Sequence, residues 1–173
     1  VMVESFTIKN YMFYRDPVEL SFLASKKVKA SALPPEWYQE IDGKRILRLL
    51  LCVGLNGTGK TKMIEALQYL RMLAVYKPEK PTDRPAFRPF LLDEQSRYEP
   101  SELSLTYYIN NTCHYYYIKV SEKRIEEEIL KQISPNILLY HRFYNRETDT
   151  VSIKFGSDSD ISKSTQQALK LTV

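Results

Sequence analysis

An α/β domain is predicted by three features of the sequence: an apolar run from Ile46 to Val53, a glycine-dense turn directly after it, and an apolar stripe at helical spacing from about Lys60 to Tyr76. The run is apolar at every position but Arg48, so it has the length of a strand and the composition of one buried on both faces of a largely parallel sheet. Met63, Ile64, Leu67, Leu70 and Ala74 recur at three- and four-residue steps, which makes one side of a helix apolar. Strand, turn and helix therefore follow one another across residues 45–76. The chain of 173 residues fits a single core, or one lobe of a larger assembly.

The remaining elements can be justified in chain order. Val3 to Lys9 and Val18 to Phe22 are short and apolar-rich, and Arg15-Asp16-Pro17 between them reads as a turn joining an antiparallel pair. Ala24 to Gly43 is basic and polar, holds Pro34-Pro35 and Trp37, and shows no period, which predicts a surface excursion. After the helix, residues 77–100 contain Pro78, Pro81, Pro85, Pro89 and Pro100, five of the nine prolines. Their missing amide donors oppose both helix and central strand, so a long exposed connection is expected. Residues 101–155 read as antiparallel hairpins. Leu103, Leu105, Tyr107 and Ile109 alternate before Asn110-Asn111, and a tyrosine-rich strand returns over Thr112 to Val120. Ile125, Ile129 and Ile133 satisfy a helical and a strand step alike, and strand is the reading adopted. Ile137 to Phe143 and Thr150 to Phe155 form a further hairpin around residues 145–149, and Asp160 to Leu171 a short helix.

Composition narrows the function classes. With 43% hydrophobic and 27% charged residues the chain is neither fibrous nor disordered, and a net charge of +4 is too mild to indicate nucleic acid by itself. Nucleic acid stays open as a partner without being shown. Cys52 and Cys113 have no CxxC spacing and no companion histidine, so both read as reduced core residues. No run of about 18 uncharged apolar residues exists and the start lacks a secretory head, so no membrane partner and a cytoplasmic location are expected.

The turn carries the chemistry. Gly54-Leu55-Asn56-Gly57-Thr58-Gly59-Lys60-Thr61 matches G-x-x-x-x-G-K-[ST], and three of only five glycines fall within it. Glycines let the backbone curl so that successive amides face a β-phosphate, while the helix beginning at Lys60 presents its positive end there. Lys60 supplies an ammonium for the β- and γ-phosphates, and the Thr61 hydroxyl is a hard oxygen suited to magnesium, the expected metal ligand. Gly54, Asn56, Gly57, Thr58, Gly59, Lys60, Thr61 and Lys62 are the expected binding residues for ATP and Mg2+, on a P-loop NTPase fold.

With the loop placed, three segments acquire a wider pattern: VESFTIKNYMFYRDPVELSFLAS, LCVGLNGTGKTKMIEALQYLR and PFLLDEQSRYEPSELSLTYYI. Together they resemble the amino-terminal part of bacterial AAA-type ATP-binding proteins of the ABC/SMC-like class, relatives of the overcoming-lysogenization-defect ATPases and RecF. The resemblance covers roughly residues 2–130. It implies an amino-terminal lobe with a mixed sheet and antiparallel hairpins, ATP held between two copies of the protein, and hydrolysis in the complete dimer. It also implies a nucleotide contact after Asn10-Tyr11, where the family's arginine is replaced by Met12 and Arg15 is the substitute. A glutamine sensing the γ-phosphate is implied too, with Gln95 as its candidate. The family's acidic pair, signature loop and carboxyl-terminal histidine have no counterpart in the sequence, so the chain reads as an amino-terminal fragment ending at Leu171-Thr172-Val173, with its catalytic residues unknown.

Other residues invite roles that the sequence does not support. Asp93-Glu94 ends a short apolar run behind Pro89, too short for a buried strand, and is rejected as a magnesium-holding pair. His114 and His141 lie on tyrosine-rich strands without a nucleophile or carboxylate nearby in sequence. Tyr115-Tyr116-Tyr117 reads as sheet packing, and Lys26-Lys27-Val28-Lys29 as a solvated loop. Two functions are left: an ATPase lobe, or a regulatory module that ATP occupancy orders without turnover. A GTPase is the third reading, and the absence of an NKxD segment from the sequence favours ATP over it.

Overall fold

The computed structural model describes all residues except Pro78, Pro81, Thr82, Asp160, Thr172 and Val173, with backbone only for Ala30 and residues 168–171. Its elements are β1 (Met2–Lys9), β2 (Val18–Ser21), β3 (Tyr38–Ile41), β4 (Lys44–Leu47), α1 (Lys60–Ala74), β5 (Ser101–Ile109), β6 (Thr112–Val120), β7 (Ile125–Gln132), β8 (Ile137–Asn145), β9 (Thr150–Phe155) and α2 (Lys163–Leu171). Seven strands form one sheet in the order β2-β1-β5-β6-β7-β8-β9, and β3 and β4 form a separate pair.

Turn chemistry fixes much of this register. Asn110 and Asn111 both take positive φ, the two-residue turn that matches strand twist, and set Ile109 opposite Thr112. Asp42 and Gly43 do the same between β3 and β4. The antiparallel pairing of β1 with β2 and the strand reading of residues 125–132 agree with the sequence.

α1 lies on one face of the large sheet. Met63, Ala66, Tyr69, Leu70 and Leu73 are its buried residues, and they meet Phe6, Ile8, Leu103, Tyr116, Ile118 and Val120. The stripe is rotated from the one expected, since Ile64 is 63% exposed while the small Ala66 is fully buried and lets the helix approach the sheet. Tyr69 stacks on Tyr11 with ring centroids 5.0 Å apart and donates to the Ala86 carbonyl, which ties the connection to the helix. Burial pushes the Tyr69 hydroxyl well above the usual tyrosine range. On the opposite face, Ile41 and Ile46 of the small hairpin cover Tyr108 and Cys113.

Beyond β6 the sheet is thinly covered, and no residue of β8 is fully buried. The buried carboxylate of Glu128 organises this part: it accepts from Tyr116 Oη at 2.6 Å and Tyr140 Oη at 2.8 Å, and pairs with Arg142 at 2.7 Å. Burial and that carboxylate both raise the two phenols.

Several expectations are corrected. The strand at Ile46 to Val53 stops at Leu47, where β4 pairs antiparallel with β3, and Leu49, Leu51 and Val53 are about 80% exposed. A strand apolar on both sides needs neighbours at both edges and a layer on each face; the described residues supply none for this stretch. Every strand pairing among the described residues is antiparallel, in place of the mixed sheet expected. Cys52, expected in a core, is exposed, whereas Cys113 is buried. The excursion over residues 24–43 contains β3, whose strand character comes from pairing with β4 and not from its own pattern. Pro78, Pro81, Asp160, Thr172 and Val173 of the expected connection, helix and ending fall outside the described residues; the helix itself begins at Lys163.

Candidate phosphate-binding site

Residues 54–59 form a loop leading into α1, whose first turn carries Lys60, Thr61 and Lys62. Gly57 and Gly59 have φ of 81° and 88°, the left-handed region that side chains resist. Gly59 meets a second constraint, because a Cβ there would stand 3.1 Å from Tyr14 Oη and 3.5 Å from Phe13 Cβ. Tyr14 donates to the Gly59 carbonyl at 2.9 Å, so the β1–β2 turn clamps the loop where the helix starts. Burial pushes the Tyr14 hydroxyl above its usual range.

Lys60 turns back into the loop. Its Nζ donates to the carbonyls of Gly54 at 2.7 Å and Leu55 at 2.6 Å and lies 3.4 Å from Thr58 Oγ1, which itself donates to Leu55 O at 2.8 Å. The loop thus closes as a ring around an ammonium. Among the described residues Lys60 forms no ion pair, so its charge has no carboxylate to neutralise it. The helix start has no side-chain cap, and among the described residues the amides of Gly59, Lys60, Thr61 and Lys62 have no hydrogen-bond acceptor. Free amides, a helix N-terminus and an unpaired cation converge on one spot.

A cavity of about 260 Å3 opens there, lined by Phe13 and residues 56–62, and among the described residues no acidic side chain is in its wall. All eight sequence-predicted site residues are brought together in this loop, Asn56 and Lys62 in the lining and Gly54 as a ligand of the ammonium. Thr61 is exposed on the first turn, its hydroxyl without a hydrogen-bond partner among the described residues. Lys62 pairs with Glu65 at 2.7 Å along the helix.

Other candidates lie elsewhere. Arg15 pairs with Asp16 at 3.2 Å and Gln95 donates to Glu99 at 2.9 Å; neither lines the cavity. Asp93 accepts from the hydroxyl and amide of Ser96, which hold its carboxyl below the usual carboxylate range, and it closes a turn instead of ending a strand. His114 stacks on Tyr107, and His141 lies 2.8 Å from Glu127 Oε1, a cross-sheet pair. Among the described residues no three His, Cys, Asp or Glu side chains gather as a metal site. A second cavity of about 320 Å3 lies under α1; leucines and tyrosines make most of its wall, with Arg71 at its side, and none of the phosphate-loop residues reaches it.

Sequence reasoning missed Phe13. The Tyr11–Tyr14 turn, closed by backbone bonds of 2.9 and 2.8 Å with Met12 at a positive φ, pushes this ring outward beside the loop, and it is 55% exposed. The signal in the sequence is an aromatic residue between two predicted strands, just ahead of the predicted turn at Arg15-Asp16-Pro17.

No helix among the described residues is long and apolar enough to cross a membrane. Comparison with protein-family models, with curated proteins and with solved structures found no match to this chain.

Proposed function

We propose that this chain binds the polyphosphate of a nucleoside triphosphate, ATP with magnesium, in the loop from Gly54 to Lys62, as a lobe of an ABC/SMC-like P-loop ATPase acting in the cytoplasm as a homodimer. One observation carries the reading: the ammonium of Lys60 is ringed by loop carbonyls and, among the described residues, is paired with no carboxylate, beneath a helix start whose amides have no acceptor among those residues. Such a site is complementary to a compact polyanion, because each phosphate oxygen can accept from several donors at once.

The donor set fits magnesium only as a companion of the nucleotide. Thr61 offers one hard oxygen, and the remaining ligands are phosphate oxygens and water, the usual arrangement for this ion. When bound, magnesium supplies charge neutralisation at the β- and γ-phosphates. The chain's own residues bind and orient: the amides of Gly59 to Lys62 fix the phosphates, Lys60 offsets their charge, and Tyr14 holds Gly59 in place.

Hydrolysis requires a group that positions water, and among the described residues the cavity wall has no carboxylate to do it. This favours binding without turnover for the chain as it stands, the behaviour of a nucleotide-dependent regulatory module; in the ATPase reading, the acidic pair is supplied from outside the described residues. Isothermal titration with Mg-ATP, run beside a phosphate-release assay, separates these possibilities. Binding is expected with no steady release, and Lys60→Ala should weaken it about 100-fold, or about 2.7 kcal/mol. Equal affinity in the parent and Lys60→Ala would overturn the reading, whereas release lost in that variant would establish an ATPase.

A further inference from the structure

α1 borders two separate spaces. Its first turn carries the ammonium of the phosphate loop, and its carboxyl-terminal half forms one wall of the cavity of about 320 Å3, opposite the sheet from β5 to β8. Leu67, Leu70, Leu105 and Leu130 give that cavity an aliphatic interior, and three tyrosines add ring surface. The three hydroxyls are not equivalent. Tyr116 and Tyr140 both donate to the Glu128 carboxylate, which Arg142 neutralises, so their protons are spent. Tyr107, its ring stacked on His114 at 5.4 Å, has no hydrogen-bond partner for its hydroxyl among the described residues, and burial raises that hydroxyl above the usual tyrosine range. Arg71 stands at the side of the cavity, exposed on the last turn of α1. Among the described residues it forms no ion pair, and no acidic side chain is in the cavity wall.

We propose that this cavity is a binding site for a medium-chain aliphatic carboxylate, its tail among the leucines and its head on the Arg71 guanidinium. Size and chemistry choose the occupant. The volume lies within the roughly 300–1,000 Å3 of small-molecule sites, which are mostly apolar with a few polar groups that orient the ligand. A guanidinium presents a planar fork of donors that matches a carboxylate, and one unpaired cation balances a monoanion. Glu128 sets the direction of the ligand: its negative charge lies behind Tyr116 and Tyr140, so an anionic head is favoured at Arg71 and the tail against the rings. The Tyr107 hydroxyl is a second donor in the wall. Arg71 also offsets the negative end of α1, but that role alone calls for no apolar cavity beside it. The inference is independent of the nucleotide reading, since no described residue lines both spaces.

The test compares butyrate, octanoate and octan-1-ol by titration calorimetry on the parent, Arg71→Gln and Ala74→Trp. Both positions are exposed on α1, and circular dichroism checks that the variants fold. Octanoate is expected to bind the parent, with butyrate more than about 10-fold weaker, because each buried methylene adds up to about 4-fold. Arg71→Gln should weaken octanoate about 10-fold, the effect of losing a charge-assisted hydrogen bond, and leave octan-1-ol unchanged. Ala74→Trp puts an indole into the cavity wall and should weaken both. If octanoate fails to bind the parent, or binds Arg71→Gln as tightly, Arg71 serves the helix end only and the proposal is overturned. If Ala74→Trp leaves octanoate unchanged, the ligand sits outside the cavity and the proposal falls as well. Should Ala74→Trp fail to fold, the homologues decide, and butyrate binding as tightly as octanoate overturns the proposal.

Discussion

Two apolar stretches of this molecule have opposite fates. On β1 and β5, Phe6, Ile8 and Leu103 are at most 1% exposed, whereas Leu49, Leu51 and Val53, just before the phosphate loop, and Leu55 within it are 78–82% exposed. The strands alternate, so one apolar face suffices and a single layer, α1, covers it. The run at residues 49–55 is apolar at nearly every position and cannot be covered by one layer. The phosphate loop is consequently supported from one side only, by α1 and the Tyr14 clamp, and not by the chain that leads into it.

The contrast can be tested from its strongest consequence downward. Phe6→Ala should cost about 3–5 kcal/mol in denaturant unfolding, the range for removing a buried phenylalanine. A loss below about 1 kcal/mol would mean that α1 does not seal that face. Tyr14→Phe removes the hydroxyl that holds Gly59 and should cost about 1 kcal/mol, the net worth of a hydrogen bond. If the clamp matters to the ligand, the same variant weakens tripolyphosphate several-fold; unchanged affinity would assign the loop's shape to its glycines alone.

Leu51→Ser should change stability by less than about 0.5 kcal/mol, as an exposed position does. A cost comparable to that of Phe6→Ala would show the run buried in solution and abolish the contrast. The smallest effect concerns the connection after α1. Hydrogen bonds from Ser96 depress the Asp93 carboxyl, so its contribution is present above the ordinary aspartate range and is lost as pH falls through the lowered value. Asp93→Ala should therefore be less stable than the parent at neutral pH, with the difference closing on acidification; a difference that persists at low pH would place the effect outside the carboxylate.

Much of the candidate site was legible because its requirements are local. Gly57 and Gly59 occupy the positive-φ positions, and Lys60 reaches carbonyls five and six residues behind it. Phe13 was not legible, since it is brought to the loop by a turn more than forty residues upstream through the contact of Tyr14 with Gly59. The same holds for Asn10, whose side-chain partners lie 80 to 90 residues away.

By itself the sequence determined the period of β5 and β6, the asparagine turn between them, the span of α1 to within two residues and the residues of the loop, all properties of backbone torsions and near neighbours. Tertiary structure alone decided that the run beginning at Ile46 leaves its strand at Leu47, that α1 buries Ala66 and exposes Ile64, and that Phe13 stands beside the phosphate loop. Hydrophobicity states that a residue gains by burial, but where it is buried depends on surfaces supplied by residues far along the chain.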